Sequence, residues 1–166
     1  MDKYFRINLD KEHTDINLLI KMLRPHITPD TIIVNCSPDY SSIISQRVIH
    51  AFYDNPLEMI NFAMPYPNTD FEKAYPKYCE DFAKSIEDGD KYIFIDSGVL
   101  RGRNFQTLED ALHLYSCDLI SSYVFAALYV QDDAIFTPNV YVEKFNKANQ
   151  GMLLFYWENE NCTLFD

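Results

Sequence analysis

Asp96, Arg101 and Arg103 fall in one stretch, YIFIDSGVLRGRNFQTLEDAL at 92–112, together with Gly98 and Gly102, two of only four glycines among 166 residues. Tyr92-Ile93-Phe94-Ile95 runs straight into Asp96. The spacing predicts a strand ending near that carboxylate, a glycine-shaped loop, and a helix N-capped by Asn104. Loop amides and a helix N-terminus together make an anion nest, because N–H groups and the helix dipole converge there. Arg101 and Arg103 add positive charge, and Asp96 can accept hydrogen bonds from sugar hydroxyls. Phosphate beside a polyol is the ligand chemistry this loop suits. In the plainer reading Asp96 caps a neighbouring loop and the two arginines are solvated charges.

The rest of the chain makes those arginines stand out. Twenty-five acidic against 14 basic side chains give a formal charge of -11. That argues against nucleic acid or an anionic membrane surface as partner, since either would be repelled. Composition is 48% hydrophobic and 23% charged, which indicates one globular domain over 1–166. Cys36, Cys79, Cys117 and Cys162 are widely spaced, without zinc spacing, and read as free thiols in a reducing compartment. The opening MDKYFRINLDKEH is too charged for a secretory signal, and no apolar run approaches the ~20 residues of a membrane span. A cytoplasmic location is expected. Asn35-Cys36-Ser37 and Asn161-Cys162-Thr163 then match the glycosylation pattern by chance.

The elements that must position the 92–112 stretch follow from apolar periodicity. Short strands are expected at 4–9, 31–36, 57–64, 91–95, 123–130, 140–145 and 152–157. Helices are expected at 15–23, stopped by Pro25, at 40–53, from about 76 to 87, and at 105–115. Asp88-Gly89-Asp90 reads as a glycine C-cap. The Pro65–Pro76 stretch, rich in proline and aromatics, reads as a loop or lid in which Tyr66, Phe71 and Tyr75 cover a ligand or meet a partner. Alternating strands and helices imply an α/β domain with a largely parallel central sheet flanked by helices. Ligands of such sheets sit beyond the carboxyl ends of the strands.

The 92–104 segment resembles the PRPP-binding motif of the type I phosphoribosyltransferases: four apolar residues, two acids, three variable positions, then Thr-Gly-x-Thr. Tyr92 to Ile95 match the apolar run and Asp96 the first acid, while Ser97 replaces the second. Arg101-Gly102-Arg103-Asn104 takes the place of the phosphate loop. Gly98-Val99-Leu100-Arg101-Gly102 is similar to the Ser-Ile-Val-Arg-Gly of glutamine PRPP amidotransferases. Phe155-Tyr156-Trp157-Glu158 resembles the Phe-Pro-Trp-Glu of some purine-salvage members.

This resemblance implies a core at about 30–145 with a small hood from 1–29 and 146–166. It implies a ribose 5-phosphate held by Gly98, Val99, Leu100, Arg101, Gly102, Arg103 and Asn104, with Asp96 as the catalytic acid group and Ser97 beside it on the ribose hydroxyls. Pyrophosphate would meet Ser37 and Asp39, bridged by magnesium for which the sequence assigns no protein ligand. A base would lie near Phe136, Val140 and Trp157, although Trp157 equally suits packing of the last strand. The phosphoribosyl ligand is the expected partner, and a homodimer is compatible with the chain.

Ser97 in place of an acid, the loss of both threonines and the acidic Ser37-Pro38-Asp39 favour a second reading: a non-catalytic nucleotide-sensing or protein-interaction domain on the same fold. Apolar-Asp-Ser-Gly is also an aspartic protease signature, but there is no second copy and the expected fold is not all β. His13, His26, His50 and His113 have no metal spacing and read as surface or core residues. Asp132-Asp133, after the strand ending at Val130, could help hold a divalent ion, but reads most simply as an acidic turn.

Overall fold

In the computed structural model residues 4–36, 42–52, 54, 57–65, 68–87, 89–120 and 122–155 are described. Ser37, Asp39, Tyr66 and Trp157 lie outside them. In chain order the elements are β1 (Tyr4–Ile7), α1 (Leu9–Leu23), β2 (Thr31–Asn35), α2 (Ser42–His50), β3 (Glu58–Asn61) and α3 (Asp70–Lys84), then β4 (Lys91–Val99), α4 (Arg103–Tyr115), β5 (Ser122–Gln131), β6 (Val140–Phe145), α5 (Lys147–Gln150) and β7 (Met152–Phe155). Five strands form one sheet in the order β3-β2-β4-β5-β6, with every pairing parallel. β1 and β7, from opposite ends of the chain, pair parallel in a separate two-stranded sheet.

A parallel sheet covered on both faces needs apolar residues on both sides of each central strand. Val34, Phe94, Phe125 and Ala127 meet Tyr75, Cys79 and Ala83 of α3 and Phe105, Leu108 and Leu112 of α4. Ile33, Ile93, Ile95 and Ala126 meet Ile16, Leu19 and Leu23 of α1 and Ile44 and Val48 of α2. The terminal sheet packs on this second face, where Ile7, Leu153 and Phe155 join the same cluster. Lys11 pins that junction: its Nζ reaches Asp15 at 2.9 Å and Glu143 at 2.6 Å, and Tyr129 donates to Asp15 at 2.6 Å.

Several expectations are corrected. α1 begins at Leu9, not Asp15, because Asn8 caps it by accepting from Lys11 N–H at 2.8 Å. Its buried stripe includes Glu12 and Asp15, which break the apolar pattern that marks a helix. The 65–76 stretch is not a loop throughout, since α3 starts at Asp70 after the Thr69 cap and carries Pro76 inside it. Interior proline costs a helix about 3 kcal/mol. Burial of Tyr75, Cys79 and Ala83, with Phe71 and Tyr78 in the aromatic cluster around Phe62, opposes that cost. Tyr75 is therefore a core residue and not part of a lid or an exposed patch. α3 also ends at Lys84, so Gly89 is not its C-cap; at φ +86° its N–H bonds Leu119 O at 2.9 Å. No helix among the described residues is long and apolar enough to cross a membrane.

Candidate functional site

β2 is followed by α2 on one face of the sheet, and β4 by α4 on the other. β2 and β4 are neighbours, so the helices that follow them turn to opposite faces of the sheet between these two strands. Such a switch point is where open parallel sheets take ligands. Asp96 stands there, one residue beyond the row Asn61, Asn35 and Ile95.

β4 does not end at Asp96, as the sequence suggested, but continues to Val99, with Asp96, Gly98 and Val99 in register with Ala127, Tyr129 and Val130. Asp96 is half-buried, and its Oδ1 accepts from Ser97 N–H at 2.6 Å and the Ser97 hydroxyl at 3.4 Å. Gly98 is thus a strand residue rather than a loop former. A Cβ there would lie 2.6 Å from Leu153 Cδ2, so its bareness admits β7. Val99 is buried in the α3–α4 core, and half-buried Leu100 packs against the opposite cluster. Their side chains serve the fold.

The turn into α4 is capped by Gly102, not Asn104, which is the second helical residue. Gly102 adopts φ +79° and ψ 4°, a left-handed conformation suited to glycine. A Cβ would also lie 2.8 Å from Phe136 Cβ and 2.9 Å from Phe136 N. Ile135 N–H donates to Arg101 O at 3.0 Å, so the β5–β6 connection clamps this turn. The α4 ladder starts with Gln106 N–H to Gly102 O at 3.0 Å. The amides of Arg103, Asn104 and Phe105 therefore precede any intrahelical acceptor. Arg101 and Arg103 are exposed, and neither has an ion-pair partner among the described residues. Phosphate is suited to such a cradle.

Phe136 and Val140, expected near a base, are buried. The Phe136 ring packs on Phe105 and Phe125 at 5.7 and 5.0 Å, and Val140 pairs with Ala126. Ser37, Asp39 and Trp157 belong to no described geometry, so the site assembled here comprises Asp96, Ser97 and the Arg101–Asn104 turn.

Two buried polar residues lie beneath the site: Asn35, which the sequence reading did not single out, and Tyr75, which it placed in a lid. Asn35 is fully buried: its Nδ2 donates to Asn61 Oδ1 at 3.0 Å, and its Oδ1 accepts from the Ser45 hydroxyl at 3.1 Å. An asparagine within a run of β-branched residues was the available signal. Tyr75 places its hydroxyl 2.8 Å from Met64 Sδ and 3.3 Å from Asn104 O. Burial pushes the Tyr75 hydroxyl and the Cys36 thiol well above their usual ranges, with the Asp96 charge adding to both. Burial likewise raises Cys79 to about 11. Both thiols are protonated at neutral pH and are not nucleophiles.

The four histidines are all exposed, and His113 bonds the Tyr123 hydroxyl. Asp133 accepts from Gln131 and Asp132 from Asn146, which makes this pair a bonded turn. Among the described residues no three His, Cys, Asp or Glu side chains gather as a metal cluster. Magnesium needs less, since one or two carboxylates plus a ligand's phosphate oxygens suffice. Asp96 fits that role only together with such a ligand.

No family model matches the chain, and no curated protein sequence matches it. Solved structures do. A purine phosphoribosyltransferase from Pyrococcus horikoshii is similar at 15% identity and TM-score 0.67, covering 96% of each chain. A Helicobacter pylori xanthine-guanine-hypoxanthine phosphoribosyltransferase gives 12% identity and TM-score 0.63, over 95% of this chain and 93% of that one. An HGPRT-ase from Leishmania tarentolae, solved in complex with GMP, gives 12% and 0.57 over 81% and 76%. With the five-stranded parallel sheet and its flanking helices, these likenesses show that the chain has the type I phosphoribosyltransferase fold.

Proposed function

We propose that this protein binds a phosphoribosyl ligand, PRPP or a nucleoside monophosphate, at the carboxyl end of β4. The observation that carries the reading is the α4 N-terminus: a glycine-capped turn with two arginines outside any described ion pair, at the switch point of a chain whose net charge is -11. The amides of 103–105 and the two guanidiniums would take the 5-phosphate. Asp96 and Ser97 would accept and donate to ribose hydroxyls. The purine phosphoribosyltransferases of the same fold support this choice of ligand class.

As an enzyme the protein would transfer the phosphoribosyl group to a nitrogenous base, with pyrophosphate leaving from the anomeric carbon. The residues present would orient the ribose and place negative charge, through Asp96, near the oxocarbenium-like centre that develops. Magnesium, held by Asp96 and the ligand's own oxygens, would neutralise the departing pyrophosphate. The second reading is nucleotide sensing without transfer. It is favoured by the single carboxylate at the strand end, where Ser97 offers only a hydroxyl.

Calorimetric titration with PRPP plus magnesium, and with nucleoside monophosphates, tests the binding. Asp96→Asn and a paired Arg101→Gln, Arg103→Gln variant should each weaken it at least tenfold while leaving the unfolding temperature within a few degrees. No heat with any of these ligands refutes the reading. Pyrophosphate release from PRPP and a purine base then separates the enzyme from the sensor.

A further inference from the structure

A phenylalanine at position 75 would fill the same aromatic packing, so the Tyr75 hydroxyl has a separate origin. The ring meets Phe62, Phe71 and Tyr78 with centroids 6.1, 6.1 and 6.4 Å away, and only 2% of the residue is exposed. Burying a hydroxyl is unfavourable unless it is bonded. Cys79, one turn along α3, bonds the hydroxyl. Its single proton is shared between two acceptors from distant parts of the chain: Met64 Sδ at 2.8 Å, after β3, and Asn104 O at 3.3 Å, in the first turn of α4.

Asn104 does not need this bond to be satisfied. Its carbonyl belongs to the α4 ladder, and a carbonyl oxygen has a second lone pair. The Tyr75 bond therefore acts on position and polarity. It fixes α3 against the same turn that Phe136 and Ile135 hold from the other side. A hydrogen bond accepted by the Asn104 carbonyl also polarises that peptide group, whose N–H belongs to Phe105. Phe105 N–H is one of the three amides lying ahead of the α4 ladder.

We infer that Tyr75 is a positioning residue for the α4 amide cradle, holding it for a phosphate group through the carbonyl of Asn104. The inference rests on the phosphoribosyl reading above. Tyr75 touches no ligand itself; it sets the aim and donor strength of amides that would.

The test compares Tyr75→Phe with Tyr78→Phe. The control also loses a hydroxyl from the same helix and aromatic cluster, but that hydroxyl accepts from Ala63 N–H at 3.4 Å and is not bonded to α4. Ribose 5-phosphate is the titrant, followed by calorimetry and by the amide resonances of 103–105. Tyr75→Phe should raise its dissociation constant about three- to tenfold and shift the Phe105 amide in the ligand-free protein. Tyr78→Phe should do neither. Equal losses in both variants would reduce Tyr75 to general packing and overturn the inference, as would unchanged affinity in Tyr75→Phe. Wild-type protein that binds no ribose 5-phosphate instead refutes the phosphoribosyl reading, and this inference with it.

Discussion

Glu12 offers a prediction independent of any ligand. It lies on the inner stripe of α1, is 1% exposed, and neither carboxylate oxygen has a hydrogen-bond partner among the described residues. Burial raises its pKa from 4.5 to about 7, against the attraction of Arg47 from α2. The unfolded chain thus releases this proton near pH 4.5, whereas the native protein keeps it to about 7. Stability from this group is complete below the lower value and is lost as pH rises through the upper one. The interval, converted at 1.36 kcal/mol per pH unit, gives at most about 3 kcal/mol, and relaxation around the site brings the expectation to about 1–3 kcal/mol. Glu12→Gln removes the titration and keeps the shape. Its stability relative to wild type should therefore grow by about 1–3 kcal/mol between pH 5 and pH 8, or roughly 3–10 °C in unfolding temperature. Urea and thermal unfolding at pH 5, 6, 7 and 8, followed by circular dichroism, measure this directly. Parallel pH profiles for the two proteins would show that Glu12 is charged in the native state, and the argument from burial would fail.

Two glycine predictions separate backbone strain from packing. Gly102→Ala should destabilise by about 1–3 kcal/mol, because alanine at φ +79° is strained and its Cβ would meet the Phe136 backbone 2.9 Å away; thermal unfolding reads this without ligand. A wild-type unfolding temperature would show that the turn relaxes freely. Gly98→Ala has a normal φ and meets only the tip of Leu153, so it should cost about 1 kcal/mol and cost nothing in a Leu153→Ala background. Additive effects in that double-mutant cycle would mean that the two positions are not in contact.

Much of the fold was legible because its signals are local. The β-branched run Ile32-Ile33-Val34 and the apolar Tyr92-Ile93-Phe94-Ile95 gave two central strands, which the structure pairs in parallel. The glycine turn between β4 and α4 was legible for the same reason, as glycine spacing survives without knowledge of neighbours. Errors arose where distant packing decides a local outcome. α1 looked shorter because Glu12 and Asp15 occupy buried positions, and Asp15 is accepted there only because Lys11 and the Tyr129 hydroxyl meet it. The first turns of α3, at 70–75, looked like a loop because Pro76 disfavours a helix running through it, and the aromatic cluster that opposes this comes partly from Phe62 on a separate segment.

The sequence by itself determined where charge and backbone freedom are concentrated: Asp96 beside Arg101, Gly102 and Arg103, in a chain of net charge -11. Residue type and spacing suffice for that, because they set which groups can carry charge or adopt a left-handed turn. Tertiary structure alone decided what the glycines serve. Gly98 yields space to Leu153 and Gly102 to Phe136, contacts across 55 and 34 positions of chain. It also decided that Tyr75 reaches Asn104 and that Asn35 links Asn61 to Ser45. Such pairings follow from strand order and helix packing, which no local window of sequence contains.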